Sequence, residues 1–414
     1  MKKVILYTVA ASLVCCNYAC NKDDHPASED VKPFEPIELT VKQSAKVAGD
    51  NAFAFNLFRK IAASDDKTNA FISPLSVTMA LGMLYNGTSP DAGAEMATAL
   101  GMKDFSDKEI NEYYQIILQA LLKIDPLTAL SIANSIWSEK TYPVKQTFMD
   151  INKQYYDAEV QSLDFSLKST LDAINNWCAK KTNGKIESIL DEIPSDAVMY
   201  LINAVYFKSK WLYQFDKKDT KTEEFTKENG ARQNVAMMNQ TAALSYYANE
   251  MLQCVEMPYG NGAFSMVAIL PSESKTVDEL VNYLDNDVWN TVLANMWETN
   301  VHVKFPRFKG ECEFSLKEPI DDLGMHLIFQ TGGNLNGIAD DSRLYVSKIK
   351  HKTFVEVNEE GTEAAAVTAI EVSYTSIGPS SPVPFFANRP FLYLIKEKST
   401  GVILFIGRMD EPKE

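Results

Sequence analysis

VEVNEEGTEAAAVTAIEVSYTSIGP is the sequence of residues 355–379. It begins with the alternation of a β-strand, because Val355 and Val357 share one face of an extended chain while Glu356 lies on the other. Beyond Gly361 come small residues and then β-branched residues, which favour extended structure. No proline interrupts the stretch before its last residue, so every N–H group can join a sheet. The pattern predicts a segment that can become a strand.

The two faces of this segment differ in charge. One face carries only neutral side chains, which are Thr362, Ala364, Ala366, Thr368, Ile370 and Val372. The other face carries both carboxylates, Glu363 and Glu371, so the neutral face can be buried without burying a charge. A helix or an ordinary loop is the alternative, because Glu-Ala-Ala-Ala is also favourable helical sequence.

Several motifs in this order resemble the serpin family. The strings EEGTEAAA (359–366) and NRPFLYLI (388–395) are similar to the serpin hinge and to the segment after the serpin reactive loop. Further similar strings are NAFISPLS (69–76), INNW (174–177), TNGKI (182–186), FKSKW (207–211) and MM (237–238). The resemblance extends from residue 48 to residue 411. It implies a mixed α+β fold with a large central sheet, further sheets, about nine helices and an exposed reactive loop.

The resemblance implies an inhibitor of serine-type endopeptidases, with cysteine endopeptidases left open as further targets. In serpins a protease cleaves the loop as bait, and the freed segment then inserts as a new strand of the largest sheet, which makes the inhibitor a suicide substrate. A serpin-fold binding protein without inhibitory activity is the alternative. The small hinge residues favour the inhibitor, since bulky or charged hinge residues are typical of non-inhibitory serpins.

The position of the cleaved bond follows from counting along the loop as in the family. Starting at Gly361, the count gives Thr375–Ser376, with Tyr374–Thr375 and the bonds up to Ile377–Gly378 as alternatives. No Lys or Arg occurs between residues 352 and 389. The expected partners are therefore elastase-, subtilisin- or chymotrypsin-like proteases.

The resemblance also assigns three groups of residues around the loop. The hinge comprises Gly361, Thr362, Glu363, Ala364, Ala365 and Ala366. The sheet-opening cluster, a polar group beneath the sheet, comprises Ser73, Ser76, Asn203 and His351. The loop-insertion region comprises Trp211, with Arg307 as a candidate partner of Glu359. Simpler interpretations exist: Ser73 before Pro74 is also a helix cap, His351 a half-buried histidine and Trp211 a core residue.

Neither composition nor motifs indicate an enzyme. The net charge of −15 argues against nucleic acid or an acidic membrane surface as a partner. The four histidines, at positions 25, 302, 326 and 351, have no metal-site spacing with each other or with cysteine. The sequence also lacks a G-x-S-x-G motif, a Walker loop and a dinucleotide fingerprint. We therefore expect no catalytic residue, no metal and no cofactor in a monomeric protein, and a hydrolase is the remote alternative.

The N-terminus has the pattern of a targeting segment. Lys2 and Lys3 precede an apolar run that is too short to span a membrane, and the run resembles a bacterial lipoprotein signal ending before Cys20. This predicts a signal peptide over 1–19, lipidation such as palmitate on Cys20, a flexible tether over 20–45 and a serpin domain over 46–414. NKDD (21–24) resembles a surface-export tag, so we expect secretion across the inner membrane and an outer-membrane, cell-surface lipoprotein. A soluble secreted protein, or lipidation at Cys16, is the alternative.

Periodicity predicts several elements. Asp50 is expected to cap a helix that continues to Ala62, and residues 198–207 are expected to form a central strand that is apolar on both faces except at Asn203. Residues 253–257 and 264–270 are expected to pair, and 391–395 and 402–406 to form a C-terminal hairpin. Beyond Cys20 the sequence has three cysteines, at positions 178, 254 and 312. Their number is odd and their surroundings are apolar, which indicates free buried thiols.

Overall fold

The computed structural model describes residues 33–63, 69–362 and 381–414. Within these ranges there are nine α-helices: α1 (Val41–Ala62), α2 (Pro74–Tyr85), α3 (Pro90–Ala99), α4 (Asp107–Leu121), α5 (Gln146–Tyr156), α6 (Lys168–Lys181), α7 (Val277–Tyr283), α8 (Asn286–Ala294) and α9 (Lys317–Asp322). None of the helices in these ranges has the length and apolar content that a membrane span requires.

The first helix starts earlier than the sequence suggested. Thr40 caps α1 in a capping box with Gln43, so the helix begins at Val41 rather than after Asp50. Asp50 instead lies inside the helix and forms a buried ion pair with Lys46 one turn before it. In the preceding segment, Phe34, Ile37 and Leu39 pack against the core. The expected tether to residue 45 is therefore too long, because the chain is packed from before residue 41.

Fifteen strands in the described ranges form two sheets. They are β1 (Ala70–Ile72), β2 (Ala129–Glu139), β3 (Glu159–Leu163), β4 (Met199–Lys210), β5 (Lys221–Thr226), β6 (Arg232–Ala248), β7 (Leu252–Tyr259), β8 (Phe264–Pro271), β9 (Trp297–Pro306), β10 (Phe308–Ser315), β11 (Lys350–Asn358), β12 (Gly361–Thr362), β13 (Val383–Phe386), β14 (Phe391–Glu397) and β15 (Ile403–Met409). One sheet has nine strands in the order β1-β15-β14-β8-β7-β6-β9-β13, with β5 paired to β6. The other has six strands in the order β10-β11-β12-β4-β2-β3. We call the second one the opening sheet.

Two predicted strand pairs are present. β7 and β8 pair in antiparallel fashion, and so do β14 and β15, with a short turn between the latter two. Every residue of β8, β14 and β15 is buried, and β7 is buried except at Gln253 and Pro258. Their uninterrupted apolar runs made these strands readable from the sequence.

Strand β4 is internal to the opening sheet, but it is less covered than its apolar sequence suggested. Ile202, Ala204 and Phe207 are buried, whereas Leu201 and Val205 remain half-exposed. Covering elements therefore reach only part of the strand. The predicted central strand is nevertheless present between β12 and β2, with an apolar cluster on each face.

The apolar core is divided by the opening sheet. The larger cluster lies between the two sheets and the helices α1 to α5. The smaller cluster lies under α6 on the other face of the opening sheet, and it comprises Trp137, Phe165, Ile174, Trp177, Cys178, Ile186, Ile189, Leu190, Ile202 and Ala204. The opening sheet is thus held from both sides, with α6 as the cover of its outer face.

Candidate functional site

The short strand β12 lies at the centre of the opening sheet. Thr362 is in register with Val357 of β11 on one side and with Ser209 of β4 on the other, antiparallel to both. Among the described residues, β11 and β4 form no ladder with each other and are joined only through β12. The first two hinge residues thus lie between two strands that form no ladder with each other in the described residues.

Glycine is required at the first position of β12. Gly361 has a φ of +153°, and a Cβ placed there would lie 2.1 Å from the carbonyl oxygen of Ser209. A side chain at this position would push β4 away from the hinge. The glycine therefore permits the close approach of the hinge to β4.

Thr362 is the first hinge side chain to be buried. It is 4% exposed, and its Oγ1 lies 2.6 Å from the hydroxyl of Tyr259 on β7. The Tyr259 ring stacks on Trp211, with ring centroids 4.3 Å apart. No motif in the sequence indicated Tyr259, because only the packing of the two sheets brings its side chain beside the hinge.

Trp211 holds the turn that leads into the hinge. Its indole Nε1–H donates to the carbonyl of Asn358 at 2.9 Å, and its backbone N–H donates to the carbonyl of Glu360 at 2.9 Å. The ring is 3% exposed. The structure thus places Trp211 against the loop, where it contributes hydrogen bonds as well as packing.

Glu359 is the charged centre of the same turn. Its carboxylate accepts hydrogen bonds from Arg307 Nη2 at 2.6 Å and from Thr220 Oγ1 at 2.7 Å, while the residue is only 2% exposed. Burial alone would raise the pKa of Glu359, but the hydrogen bonds from Arg307 and Thr220 lower it below its usual value. Lys217 pairs with the adjacent Glu360 at 2.6 Å. Arg307 and Glu359 are therefore in contact, as the sequence suggested.

Ser73 and His351 form a buried pair beneath the opening sheet. The backbone N–H of Ser73 donates to Nε2 of His351 at 2.9 Å, so that nitrogen carries no proton. The Ser73 hydroxyl donates to the carbonyl of Leu404 at 2.8 Å and accepts from the N–H of Ser76 at 3.3 Å. Burial lowers the pKa of His351 to about 4. Ser73 is thus both the cap of α2 and the partner of His351.

Asn203 does not join this pair through a hydrogen bond. Its Nδ2 donates to Oδ1 of Asn134 on β2 at 2.6 Å, and Asn134 in turn donates to the carbonyl of Tyr156 at 2.7 Å. The Oδ1 of Asn203 is buried and has no hydrogen-bond partner. The predicted cluster of four is therefore two groups in this structure. Asn134 has the same sequence feature as Asn203, an amide side chain in an otherwise apolar strand. The register of β2 and β4 places the two residues opposite each other.

Some predicted residues lie outside the described ranges. These are the hinge residues Glu363, Ala364, Ala365 and Ala366, the bait residues Tyr374, Thr375, Ser376 and Ile377, and the lipidation candidate Cys20. The described cysteines, Cys178, Cys254 and Cys312, form no disulfide. No group of acidic, histidine or cysteine side chains within residues 33–63, 69–362 and 381–414 has the arrangement of a metal site.

Known proteins share this arrangement. The family model Serpin (serine protease inhibitor) matches residues 48–412. Iripin-8 of Ixodes ricinus is 32% identical over 374 residues, which cover 87% of this chain and 92% of that protein. The thermophilic serpin tengpin in its native state is 34% identical with a TM-score of 0.81, covering 92% of this chain and 97% of the other. Human thyroxine-binding globulin, solved with its hormone, is 26% identical with a TM-score of 0.81, covering 90% and 100%.

The expected fold is therefore confirmed, since the described residues contain nine helices and two large sheets. The family model spans most of the chain, and the match to solved structures extends over the whole arrangement of helices and sheets. The chain belongs to the serpin family.

Proposed function

We propose that this serpin inhibits proteases as a suicide substrate whose cleaved loop inserts into the opening sheet. The observation that carries the proposal is the position of β12. Its two residues, Gly361 and Thr362, are the first residues of the hinge and lie between β11 and β4. A loop that continued this strand would extend two ladders at once. The protein would supply no nucleophile, because the protease forms the covalent bond with its own.

The driving force for insertion would be the completion of the sheet. The facing edges of β11 and β4 would gain hydrogen-bond partners, and the neutral face of the hinge would be buried. Insertion of about 15 residues at ~3.3 Å each would carry the bound protease roughly 50 Å along the sheet. A protease moved this far and distorted against the inhibitor would hydrolyse its acyl bond slowly.

The composition of the bait supports a particular class of target. Residues 353–388 contain neither Lys nor Arg, so trypsin-like proteases have no preferred residue to bind. Elastase-, subtilisin- and chymotrypsin-like serine proteases are the proposed partners, with cysteine proteases as a second class. Thr375→Arg should shift the preference towards trypsin if Thr375–Ser376 is the cleaved bond.

A binding protein without inhibitory activity is the second candidate. The fold is also that of thyroxine-binding globulin, whose structure contains a bound hormone. The hinge favours the inhibitor, because residues 362–366 are small apart from Glu363, which an extended chain would place on the face opposite Thr362. A protein that only binds a ligand needs no such hinge.

We also propose that the protein is a surface lipoprotein attached through Cys20. The support is the N-terminal sequence, in which a basic start and a short apolar run precede that cysteine. The proteases it meets would then be those outside the cell.

One experiment tests the inhibitory proposal. The protein is incubated with elastase-, subtilisin- and chymotrypsin-like proteases and with trypsin, and the products are separated in denaturing detergent. We expect a covalent complex with one or more of the first three, and a released C-terminal peptide that starts between Thr375 and Gly378. Cleavage of the loop by all of them without any complex would leave the non-inhibitory binding protein as the better proposal.

A further inference from the structure

A buried ion pair lies between α1 and α4. Lys46 and Asp50, one turn apart on α1, pair with each other, and their exposed fractions are only 0% and 6%. The surrounding apolar side chains belong to the larger core cluster. Burial lowers the pKa of Lys46, against the opposing effect of the Asp50 carboxylate. A charged pair in such surroundings needs further hydrogen bonds to offset the loss of water.

Two consecutive tyrosines of α4 provide these hydrogen bonds. The Tyr113 hydroxyl donates to Oδ2 of Asp50 at 2.8 Å, and the Tyr114 hydroxyl donates to Oδ1 at 3.3 Å. Lys46 Nζ donates to the Tyr114 oxygen at 3.3 Å and lies 5.3 Å and 5.1 Å from the two ring centres. Burial raises the pKa of both tyrosines, so their hydroxyls stay protonated and can donate. Among the described residues, the polar partners of the pair outside α1 are all on α4.

A shifted register of α4 would not offer the same partners. The residues one turn before and after the tyrosines are Ile110, Ile117 and Leu118, which are all buried and apolar. A shift of α4 by one turn would place these side chains against the ion pair, because residues three or four apart share one face of a helix. Both charges would then be buried without their hydroxyl partners, which is costly.

The register of α4 matters because the chain leads from this helix into β2. Between the two elements Asp125 is buried and accepts from Thr128 Oγ1 at 2.6 Å, and that hydroxyl lies 2.6 Å from the Ser209 hydroxyl on β4. A shift by one turn would move the end of α4 by about 5.4 Å along its axis. These short contacts would then be lost.

We propose that Lys46 and Asp50 form a register key that fixes the position of α4 along α1. A buried ion pair contributes little net stability, since well-packed apolar residues of similar volume are often as stable. Its contribution here is selection, because it accepts the two tyrosines and rejects the apolar residues one turn away. The key is a property of the uncleaved fold, so it stands or fails independently of the proposed function.

Thermal unfolding of the full chain distinguishes the key from an ordinary stabilising pair. Lys46→Met and Asp50→Leu each leave one buried charge without its partner, so each should lower the unfolding temperature by about 5 °C or more. The apolar variant combines these two substitutions with Tyr113→Phe and Tyr114→Phe. It contains no unpaired polar group at this place and should unfold within about 2 °C of the parent protein. If neither single variant folds, the apolar variant still decides the test.

Zero-length cross-linking with a carbodiimide reports the register directly. On the outer side of the same two helices, Lys42 Nζ lies 2.7 Å from Glu109 of α4, and both side chains are exposed. Glu112 is also exposed, and it would take the place of Glu109 if α4 shifted by one turn. Mass spectrometry measures the ratio of Lys42–Glu112 to Lys42–Glu109 cross-links. This ratio should rise roughly threefold or more in the apolar variant, in which neighbouring registers no longer differ by a buried charge.

The matched control is Lys60→Met, which removes an exposed ion pair between α1 and Asp322 of α9. This variant should unfold within about 1 °C of the parent and give the same cross-linking ratio. An apolar variant that unfolds as early as the single variants would make the pair an ordinary stabilising contact and overturn the key. An unchanged cross-linking ratio in the apolar variant would overturn it too, and so would single variants as stable as the parent.

Discussion

Thr362 is the residue on which the proposed insertion would depend most directly. It is the last described residue of the hinge, and it is buried between β11 and β4 with its hydroxyl on Tyr259. Any long or charged side chain here would have to be buried as the strand grows. The side chain at this position should therefore decide whether insertion begins.

Under the proposed mechanism, replacing Thr362 by Arg should convert an inhibitor of proteases into a substrate. An unpaired buried charge costs several kcal/mol, and this cost falls on the start of insertion while the bait bond stays accessible. The variant should be cleaved and release active protease, as measured by residual activity and by the loss of the detergent-stable complex. Glu363→Arg is the control and should still inhibit, because an extended strand would place position 363 on the opposite face. Equal complex formation by Thr362→Arg and the parent would contradict insertion as the mechanism.

The protonation of His351 should make stability fall in acid. Burial lowers its folded-state pKa to about 4, below the ordinary value of 6.5, so the unfolded state binds the proton more tightly. The resulting stability is present above about pH 6.5 and is lost as the pH falls towards 4. The total is roughly 2–4 kcal/mol, since each pKa unit is worth about 1.4 kcal/mol.

Denaturant unfolding between pH 7.5 and pH 4 measures this loss. His351→Gln should make the free energy of unfolding depend less on pH between pH 7.5 and pH 4. It should also lower stability at pH 7.5, because the N–H of Ser73 loses a well-placed acceptor. His326→Gln is the control, since His326 is exposed and hydrogen bonds to Asp321 raise rather than lower its pKa. A profile of His351→Gln as steep as that of the parent would rule out this histidine as the source.

Under the proposed mechanism, helix α6 would have to move when the opening sheet takes up a strand. It covers the outer face through the smaller core cluster, and Cys178 lies in that cluster at 1% exposure. Burial raises the pKa of the Cys178 thiol to about 12, so both access and reactivity are low while α6 stays in place. This thiol can therefore report on the position of the helix.

Thiol labelling at pH 7.5 should distinguish the three described cysteines. Cys312 is half-buried and should react first, whereas Cys178 and Cys254 should react at least tenfold more slowly in the folded protein. The measurement is mass spectrometry of labelled peptides over time, with denatured protein as the control in which all three react. Rapid labelling of Cys178 in the folded protein would show that α6 does not cover the sheet as described.

For the molecule as a whole, the proposed mechanism requires that the cleaved form be more stable than the intact one. The facing edges of β11 and β4 have no ladder with each other in the described residues, so an added strand supplies hydrogen bonds and apolar burial together. Gains of several kcal/mol are to be expected from a strand of this length.

Cleavage within residues 374–378 should therefore raise the unfolding temperature. A gain of about 5 kcal/mol corresponds to roughly 10 °C or more, at about 2–4 °C per kcal/mol. Differential scanning calorimetry of intact and cleaved protein measures the difference. The cleaved Thr362→Arg variant should show a smaller rise. If the intact and cleaved parent proteins unfold at the same temperature, the loop does not enter the sheet.

The N-terminal segment should decide where the molecule resides without affecting what it does. Cys20→Ala should move the protein from the membrane fraction to the soluble fraction, while inhibition by the folded part stays unchanged. Fractionation of cells followed by detection of the protein measures this. Unchanged partitioning of the variant would remove lipidation of Cys20 as the anchor.

The local pattern of the sequence was sufficient for most elements of this protein. The cap at Ser73, the apolar runs of β8 and β14 and the alternation of β11 each depend on near neighbours in the chain. The start of α1 was missed because Asp50 has the chemistry of a cap, whereas its actual partner Lys46 lies one turn earlier. The order of the motifs was sufficient to identify the family, and hence to expect the hinge.

Only the tertiary structure decided how distant residues meet. The register of β2 and β4 places Asn203 beside Asn134 and not beside His351. The close approach of Ser209 makes glycine necessary at position 361. Lys185 contacts Glu356, which lies 171 residues away in the sequence. The physical reason is that periodicity records which face of an element is buried, but not which element covers it. Partners across a sheet are set by strand order and register, and these depend on the packing of the whole chain.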